Sequence, residues 1–261
     1  MKRLFALLTA LVLLAGLSAC TIRIRDLNIG ISGENISGSY TYDDAKDYFQ
    51  LPQQGKTVEI GGYVKTLFLD WISGSVEIKS GDSFTISETA EKGEYFPMYY
   101  LVKDDTAYLK YAKSGTANKY LDGKAKRVVI TVPEGCSDMN LVIVSARYTV
   151  NVDHPASLEA AFVSGSAEIS MRCPKKIALN GVSGNVNISA GDTSQLESID
   201  VEQVSGNTYL KLDAKRGYEL SYASVSGKLR QDFSEGTDSS LKKYSVRVNT
   251  VSGNLSIEKL Q

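Results

Sequence analysis

Val182-Ser183-Gly184-Asn185-Val186-Asn187-Ile188 is the stretch from which the architecture can be read, because it recurs. A Ser-Gly pair after Val or Ile returns as Ser73-Gly74, Ser164-Gly165, Ser183-Gly184, Ser205-Gly206, Ser226-Gly227 and Ser252-Gly253. Ser145-Ala146, after Val144, is a seventh copy with Ala in place of Gly. Self-similarity of this length marks a repeat architecture, and it has to be recognised before strands are assigned.

With the Gly or Ala as position zero, apolar residues fall into columns. Minus seven holds Leu67, Met139, Leu158, Ile177, Ile199, Leu220 and Val246, and minus five holds Leu69, Leu141, Ala160, Leu179, Val201, Tyr222 and Val248. Minus two is Ile72 followed by six valines. Plus two and plus four are apolar too, except Thr208 and Gln231. Period-two alternation on both sides predicts two short strands per copy, each with one face buried. The change from odd to even offsets places a turn at the Gly, where positive φ or a close neighbouring backbone suits a residue without Cβ. Ala146 is therefore expected to bend differently.

The last six copies are about 19 to 26 residues apart, within the range of solenoid coils. A single coil encloses no core, whereas stacked coils bury a continuous apolar rod. Seven coils at the strand spacing give a rod roughly 35 Å long. The expected fold is all-β: a single-domain, right-handed β-solenoid of parallel stacked coils over 57–261. Val163, Val182, Val204 and Val225 should then lie as successive neighbours in one column. Antiparallel meanders are the competing arrangement, but they would not place every Gly at one equivalent corner. The spacing breaks over about 79–138, which reads as an insertion carrying a hairpin, Pro97–Val102 and Ala107–Tyr111 joined by Lys103-Asp104-Asp105-Thr106.

Lys2 and Arg3 precede an apolar run from Leu4 to Gly16, followed by Leu17-Ser18-Ala19-Cys20. This is the order of an export signal, over 1–19, and the apolar run is short for a membrane span. Leu-Ser-Ala-Cys resembles the lipobox of bacterial lipoproteins, which implies cleavage before Cys20, lipid on its thiol and an extracytoplasmic, membrane-anchored protein; an ordinary signal peptide is the alternative. Residues 20–56, polar and rich in Gly, Ser and Asp, read as a spacer. Cys136 and Cys173 fall at similar corners two coils apart, about 9.6 Å at ideal stacking, too far for a disulfide.

The recurring V-S-G-x-V-x-I pattern, together with the Ile130-Thr131-Val132-Pro133 strand, resembles a bacterial family described as "putative adhesin", made of β-strand repeats. The resemblance covers roughly Thr57 to Leu260. It implies a β-helix-like solenoid at the cell surface, in adhesion or envelope-stress roles, with no catalytic residues to carry over. Ala146 and the break over 79–138 depart from the simple repeat.

Little in the chain suggests catalysis. The net charge of −1 lacks the basic excess of a nucleic-acid binder. His154, the only histidine, stands beside Pro155 and is expected in a solvated corner, away from any Ser-His-Asp or Cys-His site. No Cys/His spacing suits zinc, and Asp82 and Asp192 supply too few oxygens for calcium. No catalytic residue, metal ligand or cofactor is expected. Two groups are candidate binding surfaces: the aromatic run with Tyr95, Phe96, Tyr99 and Tyr100, and the plus-one amides Asn185 and Asn207, which equally suit a structural ladder. The expected role is a non-enzymatic envelope lipoprotein binding a protein, peptide or glycan through its lateral face. A polysaccharide lyase or a structural spacer are the alternatives.

Overall fold

The computed structural model describes residues 20–24, 27–31 and 38–260. The expected signal segment, 1–19, lies outside the described residues. Among those described the chain is all-β, apart from a 3-10 turn at Ala45–Asp47 and one helical turn at Asn118–Leu121. No helix among them is long and apolar enough to cross a membrane. Strands β1 (Cys20–Ile24) and β2 (Leu27–Ile31) form a small antiparallel sheet of their own. The short β3 (Ser39–Tyr40), β4 (Phe49–Gln50) and β5 (Val58–Glu59) precede β6 (Thr66–Ser80), which carries the first motif. Then come β7 (Thr85–Lys92), β8 (Tyr99–Lys103), β9 (Thr106–Lys110), β10 (Thr116–Ala117) and β11 (Ala125–Val132). The other motif copies lie on β12 (Asp138–Ser164), β13 (Ala167–Ser183), β14 (Val186–Ala190), β15 (Ser198–Ser205), β16 (Thr208–Leu212), β17 (Tyr218–Ser226), β18 (Leu229–Gln231), β19 (Tyr244–Ser252) and β20 (Leu255–Lys259).

The motif copies pair in parallel and in register. Gly74 aligns with Ala146, and Val76 with Tyr148 and then Ala167, Val186, Thr208 and Leu255. On the other side of the corner Leu67 aligns with Met139, and Leu158 with Ile177, Ile199 and Val246. The columns at minus seven, minus five, plus two and plus four are buried in every copy except the Gly227 coil. Each buried aliphatic contributes roughly 1.5–3 kcal/mol, so the aligned columns are the main stabilising term.

The minus-two column does not belong to that interior. Ile72, Val144, Val163, Val182, Val204 and Val251 are half-buried, and Val225 is exposed. The pleat alternates without interruption up to the corner, so minus three points inward after minus five. That column reads Trp71, Ile143, Phe162, Gly181, Gln203, Thr250 and Ser224 along the stack, passing from large and apolar to small and polar. Gly181 is needed there because a Cβ would stand 2.2 Å from the Phe162 ring.

The corner shows why the motif holds Gly. A Cβ on Gly184 would lie 1.8 Å from the carbonyl oxygen of Gly165, and its φ is +141°. Gly253 meets the Gly206 oxygen and Gly227 the Gly253 oxygen in the same way, both at 1.9 Å. Close approach, more than positive φ, is therefore what all these glycines share. Ala146 stands where the chain runs on as the continuous strand β12, and it is not among the positive-φ residues.

The order of stacking departs from chain order at both ends. The Gly206 coil pairs with the Gly253 coil, which in turn pairs with the Gly227 coil. Val251 therefore lies between Val204 and Val225, and the expected direct succession stops at Val204. The last strands of the chain are held on both sides, and the Gly227 coil is left at the end. At the opposite end β9 and β11 pair in parallel with the two halves of β6, aligning Lys126 with Gly74. They complete one more level without a Ser-Gly motif. Antiparallel β8 and β4 then cover β9, and β7 and β5 cover β11.

Gly184→Ala should destabilise the protein by on the order of 2–4 kcal/mol in urea unfolding, because it adds both a backbone clash and an unfavourable φ. Gly61→Ala, where nothing lies within 4 Å of the added methyl, should change stability by less than about 1 kcal/mol.

Candidate functional site

The strands after each corner lie side by side, and their plus-three and plus-five side chains face outward. Across four coils these are Thr149 and Asn151, Glu168 and Ser170, Asn187 and Ser189, and Tyr209 and Lys211. Together they line a shallow trough of about 430 Å³. Tyr209 keeps 43% of its surface exposed. The single carboxylate, Glu168, accepts a hydrogen bond from the Asn187 amide. The trough offers hydroxyl, amide, ammonium and aromatic groups at one strand spacing per step, which suits an extended polar ligand lying across the coils.

Asn185 and Asn207 form a ladder beside this trough. Asn185 Oδ1 accepts the Asn207 backbone N–H at 3.0 Å, and Asn207 Oδ1 accepts the Asn254 N–H at 3.0 Å. Asn254 Oδ1 then accepts the Lys228 N–H at 2.9 Å. The sequence of rungs repeats the exchanged order of the coils. Each rung is worth about 1 kcal/mol, and it commits one amide oxygen to the neighbouring coil.

The aromatic run lies elsewhere, at the covered end, and is half-buried. Tyr95 donates to Glu88 at 2.9 Å, Tyr99 donates to Gln50 at 3.0 Å, and the Tyr100 ring packs 6.0 Å from Phe49. Phe96 stacks edge-on against Tyr111 and covers the Lys126 ammonium at 4.4 Å. Tyr95, Phe96, Tyr99 and Tyr100 are thus grouped with one another and apart from Asn185 and Asn207.

These rings enclose an ion pair that sequence reading did not single out. Lys126 Nζ lies 2.8 Å from Glu88 Oε2 and donates to the carbonyls of Tyr111 at 2.6 Å and Phe96 at 3.2 Å. The ammonium thus faces one carboxylate and two carbonyls, beneath the faces of Trp71, Phe96 and Tyr111. Glu88 also accepts the Met98 N–H at 2.6 Å. Burial lowers the Lys126 ammonium to about 8, against the opposing charge of Glu88. A second buried pair, Lys110 with Asp70, joins aligned residues of β9 and β6 near the rings of Tyr42 and Phe68.

His154 is buried, contrary to the expected solvated corner, because β12 runs through it as strand and turns its ring inward. Nε2 lies 3.0 Å from the Cys136 carbonyl and Nδ1 3.3 Å from Ser80 Oγ. Asp153 lies 3.7 Å from the same Nδ1, so serine and carboxylate do not sit on opposite ring nitrogens as a triad requires. Cys136 and Cys173 are free thiols. Burial, with the Asp138 charge beside it, pushes the Cys136 thiol up to about 12, well away from thiolate chemistry. Among the described residues no three His, Cys, Asp or Glu side chains could hold a metal ion.

No family model matches the chain, and no curated protein matches it. The solved structures similar to it include the following two. One is a "putative cell adhesion protein" from Clostridium sporogenes, 16% identical, covering 78% of this chain and 98% of its own, with a TM-score of 0.46. The other is a "putative adhesin" from Bacteroides fragilis, 11% identical, covering 82% of this chain and 98% of its own, with a TM-score of 0.27.

Removing one member of the Lys126–Glu88 pair should be severe. Glu88→Gln is expected to lose about 3–5 kcal/mol in urea unfolding, and Glu88→Leu combined with Lys126→Met should recover most of it. The pH dependence has two limbs. The lowered Lys126 means that the unfolded chain binds the extra proton between about 8 and 10.5, so stability rises with pH in that window. Burial raises the phenols of Tyr42 and Tyr218 to about 12, and Tyr111, Tyr148 and Tyr244 higher still. Their contribution is complete below about pH 10 and is lost as pH climbs toward those folded values. Thermal melts should show a maximum near pH 10, and Lys126→Met combined with Glu88→Leu should flatten the rising limb alone.

Proposed function

We propose that this chain is a bacterial envelope lipoprotein, anchored through Cys20, whose parallel-stacked repeats form a β-solenoid that binds an extended envelope ligand without catalysing a reaction. The trough across the Ala146, Gly165, Gly184 and Gly206 coils carries this reading. It presents a ladder of hydroxyls and amides around the half-exposed ring of Tyr209, with Asn187 tied to Glu168 inside it, the composition expected where a polar polymer is gripped by many modest contacts. A glycan strand or an extended peptide of the envelope fits that chemistry.

Two earlier candidates now support the scaffold more than the contact. Tyr95, Phe96, Tyr99 and Tyr100 close the covered end, and Asn185 and Asn207 bond successive coils. A polysaccharide lyase would need a base set among several metal-binding acids, whereas the trough holds one carboxylate and one ammonium, Glu168 and Lys211. A plain spacer would need no such trough.

The test is retention of the full chain on cell-wall and membrane fractions. Tyr209→Ala should weaken retention about tenfold, the usual cost of losing a central tyrosine contact, while Tyr99→Ala with Tyr100→Ala should leave it nearly intact. Equal retention of Tyr209→Ala and wild type would discard the trough. Cys20→Ala should move the protein from the membrane to the soluble fraction, and persistence at the membrane would discard the anchor.

A further inference from the structure

The two ends of the stack are finished differently. At the Lys126 end the antiparallel strands β7 and β8, followed by β5 and β4, cover both halves of the outermost level. At the Gly227 end β17 and β18 pair on one side only, with β19 and β20, among the described residues. The segment after Gln231 returns over the start of β17, where Tyr218 donates its N–H to the Ser234 carbonyl and packs its ring 5.3 Å from Phe233. It covers nothing beyond that point. Because the Tyr218 N–H points away from β19, alternation along the strand turns the backbone groups of Leu220, Tyr222 and Ser224 to the open side.

The interior surfaces here as well. Leu220 and Tyr222 are only half-buried, and Leu229 is 43% exposed, whereas their counterparts in the neighbouring Gly253 coil are buried. Val225 is 79% exposed. β17 contains neither Lys nor Pro, the residues that ordinarily protect an edge strand from further pairing.

We propose that this open end closes on a second copy of the chain, with β17 pairing antiparallel to β17 of that copy about a twofold axis. Among the described residues the covered opposite end offers only the two-residue edges of β4 and β5, too short for head-to-tail growth on β17, so like meets like and assembly stops at two. The end coil tolerates its own image because its charges balance: Glu219 and Asp232 against Lys228 and Arg230. Centring the twofold on Tyr222 sets Leu220 against Ser224 and Glu219 against Val225. Residues with outward backbone groups then face one another, and no like charges meet. The apolar rod continues across the junction through Leu220 and Tyr222.

Size sets the strength. A nine-residue strand about 30 Å long over a rod about 10 Å thick buries roughly 300–400 Å² per copy, below the roughly 800 Å² of a standard interface. The association is therefore that of a weak, concentration-dependent contact rather than a permanent dimer.

Sedimentation velocity of the purified full chain in mild detergent, from about 1 to 300 μM, tests this. A monomer–dimer equilibrium is expected. Leu220→Lys puts a charge into the junction, and Ser224→Pro removes an outward N–H at a place where an edge strand accepts proline; each should raise the dissociation constant at least about tenfold. Circular dichroism should show the fold unchanged in both, because the backbone groups of Leu220 and Ser224 point away from β19 and both side chains are only half-buried. A chain that stays monomeric throughout, a dimer indifferent to both substitutions, or open-ended growth would each overturn the proposal. None of these outcomes bears on the Tyr209 trough, which lies on the lateral face.

Discussion

Everything in this molecule follows from how closely successive backbones meet at the Ser-Gly corner. From Gly165 to Gly253 the carbonyl oxygen of one coil occupies, within about 2 Å, the place where a side chain of the next would begin. Such an approach admits one register. Once it is imposed, residues at equal distance from the corner must lie above one another, and the alternation of the strands sends one set inward and the other outward. The apolar interior, the asparagine ladder and the lateral trough are three consequences of that single constraint. The interior supplies most of the stability, and the ladder secures register on the wet side. The trough is what remains available for contact.

The columns nearest the strand centres were legible because aliphatic spacing reports burial directly. Leu179, Val201, Val186 and Ile188 lie where their offsets place them. Minus two misled because β-branched residues favour strands on either face: the valines there satisfy backbone preference while half-exposed, and the true inward position, minus three, is disguised by its mixture of Trp71, Phe162, Gly181 and Gln203. The exchanged order of the last coils did leave a trace. Asn occupies plus one in the Gly184, Gly206 and Gly253 coils, but Lys228 stands there in the Gly227 coil, and Gln231 replaces an aliphatic at plus four. A coil that hands nothing on needs neither the amide nor the apolar residue.

Other features were hidden because nearness along the chain is a poor guide to nearness in a stack. Density of aromatic residues drew attention to 94–100, yet the ring that stands in the lateral trough is the isolated Tyr209. Its companions Asn151, Glu168 and Asn187 come from three other coils and meet only after stacking. The extra level made by β9 and β11 was masked in the same way, since a polar stretch separates its halves and Lys126 fills the position of the glycine. There the ammonium turns into the covered end, where Glu88 and three rings offset its desolvation.

Insertion of the C-terminal strands between the Gly206 and Gly227 coils has a temporal side. A chain synthesised from its N-terminus has the strands of all the other coils in hand before residues 244–259 exist, yet those residues fill the penultimate level. β17 and β18 have no native neighbour until then, because their pairing is with β19 and β20 alone. Closure of that end is thus a long-range event: β17 and β18 are captured only when residues 244–259 have docked on the Gly206 coil.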